Sequence, residues 1–359
     1  MRIIQVITCL NLGGAQTLLE NLSYGLKDAG HDVIVISLED YHSATAQRIE
    51  DRGIQVIYLD KKPHYDPTIA GKLGEVLKRL KPDIIHAHNI KKAYVYLAAK
   101  KAKVKRVVYT VHNMAWQEQG VVGGLFSYLM FHTGCMVPVG LSPKVTESIE
   151  QRYHLKNVPT VYNGTDLSRF SVKTEYSLHD EPSILNVARL DAQKNHKRLI
   201  ESFAIVSRQF PAAKLVIVGE GELQETLESQ TKESGLTEKV LFEGLQDDIP
   251  KYMKDADVFC LSSDYEGMPM TLIEAMAAGM PIVSTNVGGI SDMLTNEGSA
   301  ILTGLDATEL ADAVIRILSN KDLREKLGKN AYEASQEFSH RRMTQKYISI
   351  YKKILKHQF

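Results

Sequence analysis

Three cysteines in 359 residues, Cys9, Cys135 and Cys260, are too few and too scattered for a disulfide framework or a metal site. Each adjoins an apolar, strand-like run, as a buried thiol in a reducing compartment would. An excess of charge of either sign is also missing. Lys+Arg and Asp+Glu stand at 43 each, so no global field favours nucleic acid. No apolar run reaches the length that spans a bilayer, the stretch from Gly120 to Phe131 coming closest. The run from Met1 to Thr8 is too short and too soon interrupted for a signal peptide. There is no internal repeat and no low-complexity tract. These absences leave a cytoplasmic globular protein as the expectation.

What is present is ordinary for that class: 44% hydrophobic and 24% charged residues, with length for about two domains. Short β-branched runs alternate with helical periodicity, which predicts parallel α/β layers. Strands are expected at Ile3–Thr8, Val33–Leu38, Val56–Leu59, Ile84–Ala87, Val107–Val111 and Met136–Leu141. A second series follows at Ile184–Ala188, Leu215–Val218, Val240–Phe242, Val258–Ser262, Ile282–Thr285 and Ala300–Leu302. Helices are expected between them, such as Ala15–Ala29 and Thr68–Leu80. Two series predict two doubly wound units, each with its ligand edge at the carboxyl ends of its strands. The turn-rich stretch from Asn163 to Ser183 is the boundary candidate, and a linker there would let the units close on a ligand. A last helix, Arg341–Lys356, is expected to cross back onto the first unit.

The segment from Glu266 to Glu274 carries the most chemistry. Two acids stand eight positions apart, with Gly267 for a sharp turn and Pro269 suited to a first helical position. The free N–H groups and positive dipole end of the following helix would face an anion, and the acids would accept hydrogen bonds from hydroxyls. That combination suits a sugar joined to a phosphate; the alternative is an ordinary βα loop with solvated acids. Gly13 and Gly14 follow the first strand and open a helix, allowing close backbone approach to a phosphate or sugar, although a tight turn explains them as well. Arg189 and Lys194, just past the first strand of the second series, suit a diphosphate. Asn195 is placed to cap the next helix. His112 ends a strand, where it can reach a sugar hydroxyl or rest as a satisfied loop residue. His86 and His88 look like a metal pair but have no third ligand nearby, and Asp255-Ala256-Asp257 reads as the end of an amphipathic helix. Lys91, Lys92, Lys100, Lys101, Lys103, Lys105 and Arg106 cluster in the first half, as a solvated face or as a patch for anionic lipid.

With these residues in view, the chain resembles the retaining glycosyltransferases of family 4. The likeness rests on Gly13-Gly14-Ala15-Gln16, on Asn163-Gly164-Thr165-Asp166 with Phe170, and on Arg189 with Lys194. It rests further on Gly219-Glu220-Gly221, on Glu266 with Glu274, and on Gly288-Gly289, all in the family's order. Two positions depart from the pattern: the shorter Asp292 stands where a longer acid is common, and the loop from Asn296 to Ser299 lacks the Gly-rich form. The resemblance implies the GT-B fold, two Rossmann-like domains with a cleft between them. Residues 1–165 with the C-terminal helix 341–359 would form the acceptor-side domain, and 166–340 the nucleotide-sugar domain. It implies transfer of a sugar from a UDP- or GDP-linked donor, with no metal or other cofactor. Arg189 and Lys194 would grip the diphosphate, Glu274 the ribose hydroxyls, and Glu266 the donor sugar. The backbone at Met270, Thr271 and Leu272 would meet the phosphates, Gly13 and Gly14 would complete the cleft, and His112 would approach donor sugar or acceptor.

The expected partners are therefore a nucleotide-sugar donor and a saccharide or lipid-linked saccharide acceptor, with no nucleic acid. A capsule, exopolysaccharide or lipopolysaccharide glycan made at the cytoplasmic membrane face would fit. The apolar run from Gly120 to Phe131 packs as a helix on the sheet or contacts that membrane peripherally. Two rivals are a nucleotide-sugar epimerase on the same scaffold and a non-catalytic nucleotide-sugar-binding protein.

Overall fold

The structure, a computed structural model, describes every residue except Leu12, Gln119, His357 and Phe359, and leaves the side chains of Val121 and Val122, in the apolar run, outside the described residues. The chain divides into two compact units, one formed by Met1–Thr165 with Ser339–Phe359, the other by Asp166–Phe338.

The first unit is built on six parallel strands: β1 (Arg2–Ile7), β2 (Asp32–Ser37), β3 (Gln55–Tyr58), β4 (Ile84–His88), β5 (Val107–Val111) and β6 (Met136–Gly140). Their spatial order is β3-β2-β1-β4-β5-β6. Five of the six strands are buried almost throughout, because helices cover both faces and leave no solvent side to alternate with. Ile4, Val6, Ile85, Val107 and Tyr109 lie at the centre of the core. The C-terminal helix, His340–Leu355, packs against the helix Gly14–Asp28 and buries Met343, Tyr347, Ile350, Tyr351 and Ile354. Thr165 and Ser339, where the chain leaves this unit and returns, form a parallel bridge.

The second unit repeats the plan with β7 (Ser183–Val187), β8 (Lys214–Val218), β9 (Val240–Gly244), β10 (Val258–Leu261), β11 (Ile282–Thr285) and β12 (Ile301–Thr303), in the order β12-β11-β10-β7-β8-β9. Every expected strand is present, with ends displaced by one or two residues where ladder hydrogen bonds outlast or fall short of the apolar run. In each sheet the first strand is flanked by strands reached in opposite directions. The point where the winding reverses, β1/β4 in one and β7/β10 in the other, is where such sheets open a crevice at their carboxyl edge.

Candidate functional site

The switch point of the second unit brings together the loops that follow β7, β10 and β11. The β7 loop is tied to the β10 loop by a ladder of short bonds. Asp264 N donates to the Gln193 carbonyl at 2.8 Å, Ser262 Oγ donates to the Lys194 carbonyl at 2.9 Å, and Gln193 Nε2 donates to the Tyr265 carbonyl at 2.9 Å. Asn195 takes a left-handed conformation (φ 44°) and caps the helix His196–Gln209 by accepting from Arg198 N at 3.1 Å. Arg198 then reaches back, donating to Asp264 at 2.6 Å and to the Ser262 carbonyl at 2.8 Å.

Within that frame the structure brings Lys194 to Glu266, Nζ to Oε1, at 2.6 Å, with both side chains largely withdrawn from solvent. Ser263 Oγ donates to the same carboxylate oxygen at 2.6 Å. Thr285 Oγ1, at the end of β11, fixes the Ser263 carbonyl at 2.7 Å. The β11 loop closes on the other side of Glu266. Gly288 (φ +53°) lies so close that a Cβ there would stand 1.8 Å from the Glu266 carbonyl oxygen, and Gly289 N donates to that oxygen at 3.3 Å. Gly288 is thus required twice, by its left-handed backbone and by the lack of room.

Arg189 is not joined to this cluster; its guanidinium pairs with Asp191 at 3.0 Å and is mostly exposed. Gly219 and Gly221, after β8, press on the segment that carries it, where a Cβ would meet the carbonyls of Ala188 and Leu190 at 2.0 and 2.3 Å. Pro269 does not occupy the first helical position. It stands at the N-cap (φ −68°, ψ 125°), and the helix runs Met270–Ala277. With no side-chain cap, the first-turn amides of Met270 and Thr271 are left for another partner, while Leu272 N bonds the Pro269 carbonyl at 3.2 Å. Glu274 is buried one turn further on. Asp257 is elsewhere: it takes Ser183 N at 2.9 Å and His179 at 3.0 Å at the opposite edge of the sheet.

In the first unit, Gly13 is the N-cap of the helix Gly14–Asp28, and Gln16 donates to the Cys9 carbonyl at 3.1 Å and to Asn11 at a shorter 2.5 Å. His112 leaves the carboxyl end of β5, half-buried, and lies 3.3 Å from His88. Burial pushes the His112 imidazole down to about 4. His86 and His88 are satisfied by protein groups and not arranged as a metal pair: His86 bonds Tyr351 and Thr110, His88 bonds Gln5 and His112. Among the described residues no group of three or more His, Cys, Asp or Glu is placed to hold a metal ion.

Sequence reasoning missed Ser263, Gln193 and the Arg198–Asp264 clasp. Ser263 stands only three residues before Glu266, near enough along the chain for its hydroxyl to reach that carboxylate across a turn.

Two family models divide the chain: "Glycosyltransferase Family 4" matches residues 12–169 and "Glycosyl transferases group 1" matches 170–334. The chain belongs to the group 1 glycosyltransferases of family 4 type. Its members are transferases of sugars, so of the three activities weighed from sequence the transferase stands. The chain is 27% identical to the N-acetyl-alpha-D-glucosaminyl L-malate synthase of Bacillus anthracis, over 98% of this chain and 97% of that one. It is 29% identical to an Escherichia coli UDP-Gal:alpha-D-GlcNAc-diphosphoundecaprenol alpha-1,3-galactosyltransferase, over 70% of each. Among solved structures, Anabaena HepE in complex with UDP-glucose superposes with a TM-score of 0.87 over 98% of this chain and 99% of that one. Identity there is 20%, so that likeness bears on the GT-B fold alone. No helix among the described residues is long and apolar enough to cross a membrane.

Proposed function

We propose that this glycosyltransferase moves a sugar, with retention, from a UDP- or GDP-linked donor to a saccharide or lipid-linked saccharide in cell-surface glycan synthesis. The observation that carries the reading is the Lys194–Glu266 pair at the β7/β10 switch point, beside a helix start with uncapped amides. A nucleotide diphosphate needs its charge met as it leaves, and a sugar needs its hydroxyls oriented. Lys194 would exchange one oxyanion, Glu266, for another, the diphosphate. Released from it, Glu266 would take the donor sugar hydroxyls while Ser263 holds its position. Glu274 would accept from the ribose. Arg189, on an exposed arm, would swing from Asp191 to the phosphates. The amides of Met270 and Thr271 and the dipole of their helix would share the load without a bound metal. Within the first unit, Gly13 and Gly14 would allow close backbone approach of a phosphate or sugar, and His112 would meet a sugar hydroxyl.

The anomeric carbon–phosphate oxygen bond breaks as the acceptor oxygen attacks from the same face. The acceptor's proton passes to the departing phosphate oxygen, so no protein nucleophile is required. The name of the Escherichia coli relative supports UDP as the nucleotide.

A second surface bears on the acceptor. On the helix Val121–His132, Met130 and Phe131 turn inward while Leu125, Tyr128 and Leu129 are exposed, as is Trp116 before it. This apolar stripe suits the shallow interface of a bilayer carrying a lipid-linked acceptor. The basic cluster nearby is smaller than its sequence suggests. Lys92 is buried against Glu118 and the Tyr109 ring, and Lys101 pairs with Glu75. Flotation with anionic liposomes is expected to carry the protein upward and to fail for Leu125→Ser/Leu129→Ser; no association at low salt would remove this part of the proposal.

The transfer itself is tested by offering UDP-, GDP- and ADP-sugars with a lipid-linked saccharide extract. Release of UDP or GDP with an α-product from an α-donor is expected. Isomerised sugar still bound to nucleotide, or no consumption of any donor, would overturn it.

A further inference from the structure

The first unit holds a buried polar array whose purpose the transfer reading leaves unexplained. Gln5 on β1, His86 and His88 on β4 and Thr110 on β5 are all fully buried, and Tyr347 and Tyr351 of the C-terminal helix lie over them. Two chains of hydrogen bonds run through it. One closes on the helix: Tyr351 OH to His86 Nδ1 at 2.7 Å, His86 Nε2 to Thr110 Oγ1 at 2.7 Å, and Thr110 Oγ1 to Tyr347 OH at 2.8 Å. This one fastens the helix to the sheet. The other leads outward: Gln5 Oε1 lies 2.6 Å from His88 Nε2, and His88 Nδ1 lies 3.3 Å from Nε2 of His112, at the carboxyl edge.

The second chain has a direction. Burial holds His88 well below its ordinary value and His112 at about 4, so at neutral pH each ring carries a single proton, with one nitrogen donating and one accepting. A glutamine oxygen only accepts. With the Gln5 oxygen turned to His88, His88 bears its proton on Nε2, which leaves its Nδ1 bare. That bare nitrogen can take a hydrogen bond only from a protonated Nε2 of His112. The last atom of the chain, His112 Nδ1, is then bare as well.

We propose that His88, oriented by Gln5, is a positioning residue that fixes His112 in the Nε2-protonated form, so that His112 Nδ1 accepts a hydrogen bond from a sugar hydroxyl. His112 is then an acceptor that orients substrate, not an acid that protonates it. The inference rests on the reading that His112 meets a sugar, but its first test does not.

That test is the nitrogen–proton correlation spectrum of the imidazoles in the full chain at pH 7, with His112→Gln to assign the signal. An Nε2-protonated His112 is expected; an Nδ1-protonated or doubly protonated ring overturns the proposal. The kinetic test uses Gln5→Leu, which removes the accepting oxygen while keeping the side chain's bulk. The His112 signal should become a tautomer mixture, and kcat/KM should fall about tenfold to a hundredfold, with near-ultraviolet dichroism retained. A merely structural Gln5 would lower Tm and leave the tautomer unchanged, which counts against the inference. Should Gln5→Leu fail to fold, the wild-type spectrum decides alone. Full activity in His112→Ala would instead remove the underlying contact with sugar. If that contact is with the donor sugar, His112→Ala slows donor hydrolysis without acceptor; if with the acceptor, it raises only the acceptor KM.

Discussion

Removing Lys194 or Glu266 singly leaves the partner's charge in a buried loop cluster, and such a loss typically costs about 3–5 kcal/mol. Glu266→Ala is therefore expected to lower stability by that order as well as to abolish transfer. Glu266→Gln, still reachable by Ser263 and Lys194, should lose transfer and keep most of the stability. Adding Lys194→Met to Glu266→Ala should recover part of the loss. A double-mutant cycle by chemical denaturation checks the coupling, and strictly additive losses would mean that the 2.6 Å pair does not form. The histidines make a separate residue-scale prediction. Burial holds His112 and His196 at about 4, against 6.5 when unfolded, and holds His86 and His88 lower than their ordinary value too. Below pH 6.5 the unfolded chain binds protons that the folded chain refuses, so stability falls as pH drops from 6.5 toward 4. Each such histidine contributes at most about 1.4 kcal/mol per pH unit in that window. Melting temperatures between pH 7 and 5 should fall, and His196→Gln should fall less steeply than the parent.

Among the elements, the loops at the carboxyl edge of β7, β10 and β11 carry the candidate site, and glycine is what lets them meet. Gly288→Ala puts a methyl 1.8 Å from the Glu266 carbonyl at a left-handed backbone. Gly235→Ala is also left-handed, at φ +67°, but meets nothing within 4 Å. The second should cost only the backbone term, about 1–2 kcal/mol, with transfer unaffected; the first should cost more and lose transfer, as measured by Tm and turnover side by side. Strand positions were legible in the sequence because parallel strands buried on both faces read as unbroken β-branched runs, as in Val107–Val111. The glycine turns and the helix start after Pro269 were legible because tight turns and helix starts restrict residue type. The ion pair of Lys194 with Glu266 was not, because 72 residues separate the partners and only the sheet order joins them. The turn of Lys92 inward, onto the Tyr109 ring, was hidden for the same reason: a lysine in a basic run reads as solvated until its neighbours in space are known.

For the whole molecule, the consequence of the fold is that the last helix belongs to the first unit, 174 positions after that unit's main segment ends (Thr165 to Ser339). Its own Tyr347 and Tyr351 are fully buried against the first sheet, and each fully buried large side chain contributes roughly 1.5–3 kcal/mol. A chain ending at Ser339 should therefore lose the first unit's cooperative melting while the second unit, with its own core, keeps its transition. Calorimetry that finds both transitions intact would contradict this. Transfer as proposed requires the carboxyl edge of the second unit's sheet to hold a nucleotide diphosphate through Lys194. The decisive measurement is an equilibrium titration of the full chain with UDP and with GDP. Saturable binding of one of the two is expected, weakened at least about tenfold by Lys194→Gln. No binding of either nucleotide, or equal affinity in Lys194→Gln, would contradict it.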